Sequence, residues 1–269
     1  MLRPYGTTAS NFGLWEAVPV QVALVLFPGV SIDECEAFTL AFRQLSLSGL
    51  ADCQVVGVGA VRGEVVGIGG RRDVEQTFAE TTRPDVVLVP GGIGVDRTAH
   101  DEALLSWLRH VEPSCQWMAA SSTGTVVVAA AGLLADRPAA THWLAGAKLA
   151  EFGSAASPER IVEVGHVVTC HGRISAMDVA LLMILRLTNR QIAEQVRIDL
   201  ERAHEQAAVA RPSWWKRAVA LVRPAPRGPV RPRNEQLDIS DWIEMELTAE
   251  SSSTTPNGSP WDRPESATS

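Results

Sequence analysis

The residues best placed to do chemistry are Ser121-Ser122-Thr123-Gly124. They separate an apolar, strand-like run ending at Ala120 from a small, apolar, helix-like run that closes on Gly132. Such a strand-to-helix turn holds one side chain above a sheet, beside the N–H groups of a helix N-terminus. Ala120 and Gly124 lie two before and two after Ser122, which meets the crowding of a nucleophile elbow. Ser122 is therefore read as the site centre. A Ser/Thr helix cap without chemistry is the alternative.

Glu34 is the candidate acid/base. Asp33 and Glu34 at a helix start could simply favour the helix dipole. In an enclosed crevice, the Glu34 carboxyl would instead have its pKa raised and could exchange protons near neutrality. Gly91-Gly92 is either a tight turn or a donor site. In the second case the Gly92 and Thr123 N–H groups would form an oxyanion hole, with each donor worth roughly 3 kcal/mol. Ile93, Gly91 and Ser121 complete the expected binding surface. His142 is a second candidate base, or else a capping or surface residue. Cys170 and His171, adjacent in sequence, point to opposite faces of a strand and are not read as a dyad. Asp178 is expected to be a buried, hydrogen-bonded structural acid. There is no HExxH motif, Walker loop or GxGxxG, so no metal, nucleotide or other cofactor is expected.

These residues need a frame. Val20 to Phe27 and Asp85 to Val89 are nearly continuous apolar runs that end in Pro28-Gly29 and Pro90-Gly91-Gly92. Runs buried on both faces read as central parallel strands. Further strands are expected at Cys53 to Val58, Ile161 to Val164 and His166 to Cys170, with a short hairpin over Gly63 to Gly70. Helices are expected at Asp33 to Ser48, Asp101 to Val111, Ala140 to Phe152, Ile174 to Leu187 and Arg190 to Val209. On the first, Phe38, Leu40, Ala41, Phe42, Leu45 and Leu47 form the apolar side. Strands alternating with helices give βαβ units on a parallel sheet, with sites beyond the strands' carboxyl ends. If the strands are neighbours, the turns at Pro28, Pro90 and Ser122 share one crevice.

The chain has 269 residues, 46% of them apolar, enough for a sizeable core. Its net charge of −7 argues against nucleic acid as a partner. Four scattered cysteines without a CxxC pair fit reduced thiols and a cytoplasmic location. Nothing in Met1 to Gln21 reads as a signal peptide, and no apolar run is long enough for a membrane span. Residues 1–19 are read as an N-terminal arm, 20–206 as one domain and 207–269 as a low-complexity tail. Residues 211–233 carry seven basic residues and no acid; 234–269 carry eight acids and one arginine. The tail is read as mostly disordered, with Leu237 to Leu247 a possible docking helix.

Five motifs together resemble the ThiJ/PfpI family, of class I glutamine-amidotransferase-like fold. They are Phe27-Pro28-Gly29-Val30 with Asp33-Glu34; Asp85 to Gly92; Ser122-Thr123-Gly124 with Ala130 to Leu134; Ala140 to Trp143; and Val168 to Gly172 with Ile174 to Leu185. By motif this chain is most similar to the isonitrile-hydratase branch and to the ligand-binding halves of some AraC-type regulators. The resemblance implies an α/β, flavodoxin-like three-layer sandwich with a mostly parallel central sheet, usually a homodimer. It implies a nucleophile elbow at Ser122, an acid at Glu34, a threonine after the nucleophile at Thr123, an oxyanion glycine at Gly92 and a pocket histidine at His142. Where the family has cysteine, this chain has Ser122. A serine cannot be held ionised as a thiol can, so it needs a base. The function expected is a cofactor-free hydratase, lyase or hydrolase acting on a small molecule. The alternative is a non-catalytic ligand-binding or regulatory dimer of the same fold. A Ser-His-Asp hydrolase of the α/β-hydrolase class fits less well, because no late Asp and His pair is well placed.

Overall fold

The computed structural model describes residues 20–209. The N-terminal arm and nearly all of the expected tail, including Leu237 to Leu247, lie outside the described residues. In chain order the elements are β1 (Val20–Val25), α1 (Ile32–Leu47), β2 (Cys53–Gly59), β3 (Gly63–Gly67), β4 (Gly70–Val74), β5 (Gln76–Thr77), β6 (Val86–Val89), α2 (Val95–Thr98), α3 (Glu102–Val111) and β7 (Trp117–Ser121). They continue as α4 (Gly124–Ala130), β8 (Pro138–Ala139), α5 (Gly146–Glu151), β9 (Ala155–Ala156), β10 (Ile161–Val164), β11 (Val167–Cys170), α6 (Arg173–Leu187) and α7 (Arg190–Val209).

The main sheet runs β10-β11-β7-β6-β1-β2-β5 and is parallel except for the β10–β11 hairpin. α1, α6 and α7 pack together as one helical layer, and α2, α3 and α5 gather on α4 as the other. This is the expected α/β sandwich. The apolar runs explain it: Val22, Ala23, Val86, Val87, Leu88, Met118 and Ala119 are fully buried, so the central strands need cover on both faces.

The order β7-β6-β1 places three strand ends side by side. Leu24 pairs with Leu88, and Leu88 with Ala119, so the loops after these strands open at one level. The turns at Pro28, Pro90 and Ser122 therefore do meet.

Several elements differ from expectation. The helix expected over Ala140 to Phe152 is only Gly146–Glu151, because 138–141 run extended and Ala140 N–H and C=O bond Thr169 and Thr125 side chains. On α1, Leu40 and Leu47 are exposed, 44% and 82%, while Phe38, Ala41, Phe42 and Leu45 are buried. A 3.6 period wide enough to include all six covers more than the face that meets the sheet. The hairpin extends to Val74, since β4 pairs along the whole of β3. Asp178 is half-exposed and ion-paired with Arg160, so it is no buried acid.

Candidate active site

The elbow is strained as its spacing requires. Ser122 has φ of 54°, in the left-handed region, one of two such non-glycine residues described. The turn is held on three sides. Ser122 N–H donates to Cys170 C=O at 2.8 Å, Ser122 C=O accepts from Thr141 Oγ1 at 2.8 Å, and α4 begins at once. A Cβ on Gly124 would stand 2.4 Å from Val89 C=O, so α4 can follow the turn only through glycine. Neither hydroxyl caps the helix: Thr123 occupies the N-cap position without a side-chain cap bond.

Thr123 is spent elsewhere. Its Oγ1 accepts from Gly92 N–H at 2.9 Å and donates to Gly92 C=O at 3.0 Å. Gly92 N–H thus points at a threonine hydroxyl rather than into the crevice, which corrects the expected oxyanion role of Gly92. The Thr123 N–H has no acceptor among the described residues. Gly92 itself is fixed by close approach, since a Cβ there would stand 2.2 Å from Gly29 C=O.

Glu34 reaches the elbow from α1. Ser31 caps this helix, its Oγ accepting from Glu34 N–H at 3.4 Å. In a capping box the third residue's carboxylate folds back onto the cap N–H. Here that N–H is taken by Gly91 C=O at 2.8 Å, and the Glu34 carboxyl is free to cross the crevice. Its Oε2 accepts from Gly91 N–H at 2.8 Å and from Ser121 Oγ at 2.5 Å. A Cβ on Gly91 would stand 2.8 Å from Ser122 Cβ and 3.0 Å from both Ser122 Oγ and Glu34 Oε2. Only glycine fits between acid and elbow.

Glu34 is 8% exposed. Burial pushes its pKa up, against hydrogen bonds from Ser121, Gly91 and Ser122 that favour the carboxylate; Asp33 adds a smaller upward push. The balance is a carboxyl that holds its proton above the usual range. Burial also pushes the thiols of Cys35 and Cys170 up to about 12, so both stay neutral.

His142 is half-buried on the loop after β8, its Nδ1 accepting from Leu144 N–H at 3.3 Å. Burial lowers its pKa, and the nearby His171 lowers it further. Ile93 packs its Cγ1 toward Gly29, supporting the turn after β1. The structure thus brings Glu34, Gly91, Ser121, Ser122, Thr123 and Gly92 into direct contact. Sequence reasoning had no place for Thr141 or Gly172. Thr141 ties the loop after β8 to the elbow, and a Cβ on Gly172 would lie 3.9 Å from Ser122 Cβ. Both sat inside recognised motifs, but only their contacts give them a role.

A parallel α/β sandwich with a left-handed serine just after β7 and a buried carboxyl facing it defines the class of protein. Residues 20–185 match the DJ-1/PfpI family, and the chain belongs to it. It is 30% identical to an isonitrile hydratase of Pseudomonas putida over 192 residues, 68% of this chain and 79% of that one. Its fold is similar to a ThiJ/PfpI family protein from Pseudomonas syringae (TM-score 0.64, 20% identity, 90% and 93% of the two chains). It is also similar to Drosophila melanogaster DJ-1beta (TM-score 0.60, 19% identity, 68% and 98%).

Proposed function

We propose that the protein is a cofactor-free enzyme that adds water to a small molecule, with isonitriles as the first substrate class to test. The observation that carries this reading is the Glu34 carboxyl, enclosed at the elbow on the Gly91 N–H and the Ser121 hydroxyl. Similarity to an isonitrile hydratase supports the substrate class.

In this reading, protonated Glu34 delivers its proton to the terminal carbon of R–N≡C. A water oxygen then bonds to that carbon, and a proton of the water passes to the Glu34 carboxylate. The product R–N=CH–OH shifts one proton from oxygen to nitrogen and leaves as the formamide R–NH–CHO. Glu34 ends the cycle protonated, as it began. Water is the attacking group because the carboxyl that Ser122 meets, Glu34, is protonated when the cycle starts, and an un-ionised serine is a poor nucleophile. Ser122 holds that water, and the Thr123 N–H supports the oxygen as it adds. The single carboxyl contributes roughly 10²–10⁴-fold as general acid and base.

The test is formamide production from small alkyl and aryl isonitriles, followed by NMR. Wild type should turn over and Glu34→Gln should not. Full turnover by the glutamine variant sinks the mechanism. Saturable binding without turnover in both proteins would favour the second reading, a ligand-binding module of the same fold. The serine at the elbow, beside a carboxyl that burial keeps protonated, favours that alternative. We carry a homodimer as part of the proposal; Leu40, Leu47 and Val66, exposed on α1 and β3, support it, and light scattering tests it.

A further inference from the structure

We propose that Ser121, rather than Ser122, is the positioning residue of this site: with the Gly91 N–H it occupies Oε2 of Glu34, leaving Oε1 to carry the transferable proton. The inference rests on the acid/base role of Glu34 argued above.

Ser121 is the last residue of β7 and is fully buried. Its backbone is held in register with Cys170 of β11. Side chains alternate along a strand, so Ser121 faces the same way as Ala119, toward the layer that contains α1. Ser122 has already turned out of the strand at φ 54°. Ser121 is therefore the hydroxyl delivered by rigid sheet, and its Oγ lies 2.5 Å from Oε2. The Gly91 N–H reaches the same oxygen at 2.8 Å.

Two donors on one oxygen decide where the proton sits. In a carboxylic acid, the carbonyl oxygen is the good acceptor and the hydroxyl oxygen the poor one. Oε2, accepting twice, is the carbonyl oxygen. The proton then belongs on Oε1, the oxygen that neither Ser121 nor Gly91 engages. When the proton leaves, Ser121 and Gly91 remain as donors to the carboxylate, so no group must reorganise during transfer. The other titratable groups near Glu34 are Asp33 and Cys35 on its own helix and Cys170 on β11. The two thiols are neutral, and Asp33 is untouched by a change at Ser121.

Removing the Ser121 hydroxyl takes a donor from both forms but costs the carboxylate more, because a hydrogen bond to a charged oxygen is the stronger, so the proton should be held more tightly. The experiment is an infrared pH titration of protein labelled with ¹³C in its glutamate carboxyls, with the Glu34 band identified by its loss in Glu34→Gln. Ser121→Ala should raise the midpoint by about one unit, a tenfold change in proton affinity. Ser122→Ala should raise it less, and Ser121→Cys, a weaker donor, should fall between wild type and alanine. A Ser121→Ala midpoint equal to wild type, or a shift as large in Ser122→Ala, overturns the inference. Should Ser121→Ala not fold, Ser121→Cys decides alone: a raised midpoint supports the role and an unchanged one removes it. No substrate is needed. A shifted midpoint without isonitrile turnover would refute the proposed function and leave the positioning role standing; turnover without the shift would do the reverse.

Discussion

The molecule has two hollows near its carboxyl-end loops and hairpin, and they are built in opposite ways. Between β1, β2, α1 and the β3–β4 hairpin lies a cavity of about 370 Å³, lined by Leu24, Leu26, Val55 and the charged side chains of Arg43, Arg72 and Glu75 among others. Its charges are many, partly exposed and mostly matched: Glu36 is held by both Arg43 and Arg72 at 3.0 Å, and Glu75 accepts from Gly57 N–H at 2.7 Å. The crevice at the elbow presents a single carboxyl, that of Glu34. Yet that carboxyl is buried, its hydrogen bonds are short, and the backbone beside it is strained. Charge count favours the first region, whereas proton chemistry favours the second. The cavity's charges are balanced by counter-ions, whereas burial has desolvated the Glu34 carboxyl, with its donors arranged on one oxygen, and raised its proton affinity.

Four changes would break or sharpen this contrast, given from the largest expected effect to the smallest. Glu34→Gln should cost roughly 10²–10⁴-fold in turnover. It should also reveal a stability cost of the site. Burial makes the folded state hold the Glu34 proton to higher pH than the unfolded chain, whose carboxyl titrates near 4.5. Folding stability therefore falls as pH rises from that value and levels off above the folded pKa. Glu34→Gln removes this dependence. Thermal melts of variant and wild type should coincide near pH 4 and separate at pH 8, with the variant higher; equal separation at both pH values would mean that Glu34 is not desolvated.

Thr123→Val leaves the N–H and C=O of Gly92 without their hydroxyl partner in a buried site, and should cost about 1–3 kcal/mol in chemical denaturation. A neutral result would show that Thr123 is not the tie between the β6 and β7 loops. Gly91→Ala places a methyl where Ser122 and Glu34 already meet, and should cost about 1–3 kcal/mol through overpacking. Unlike Thr123→Val, it should also displace the Glu34 carboxyl, seen as a moved infrared band. In the other hollow, Arg72→Met should cost no more than about 1 kcal/mol, because the ion pair it breaks has a partner side chain 47% exposed. It should leave turnover unchanged. A large loss of turnover there would join the two regions functionally and end the contrast.

Much of the frame was legible because the central strands are short runs, apolar on both faces and ended by Pro28-Gly29 and Pro90-Gly91-Gly92. The α3 helix was legible to its cap, with Leu104, Leu105, Trp107 and Leu108 all buried and Asp101 accepting from Ala103 and Leu104 N–H groups. The segment from Ala140 to Phe152 was not, because tertiary hydrogen bonds hold its first residues extended against Thr125 and Thr169. Helical composition cannot register partners fifteen and twenty-nine residues away. Asp178 misled for a similar reason: apolar neighbours along a helix do not say whether Arg160 waits on the next element.

At the site, the sequence by itself determined the residue types and the turn. Ala120 and Gly124 around Ser122, the glycine pair after β6 and an acid at the start of α1 are local facts of spacing and size. Tertiary structure decided which atom meets which. It turned Glu34 away from its own helix cap, gave Ser121 the bond to the carboxyl and closed the Gly92 N–H onto Thr123. Backbone crowding depends on neighbours in the chain, so spacing records it. A hydrogen bond across a crevice depends on the strand register and on a few tenths of an ångström, and only the packed fold sets those.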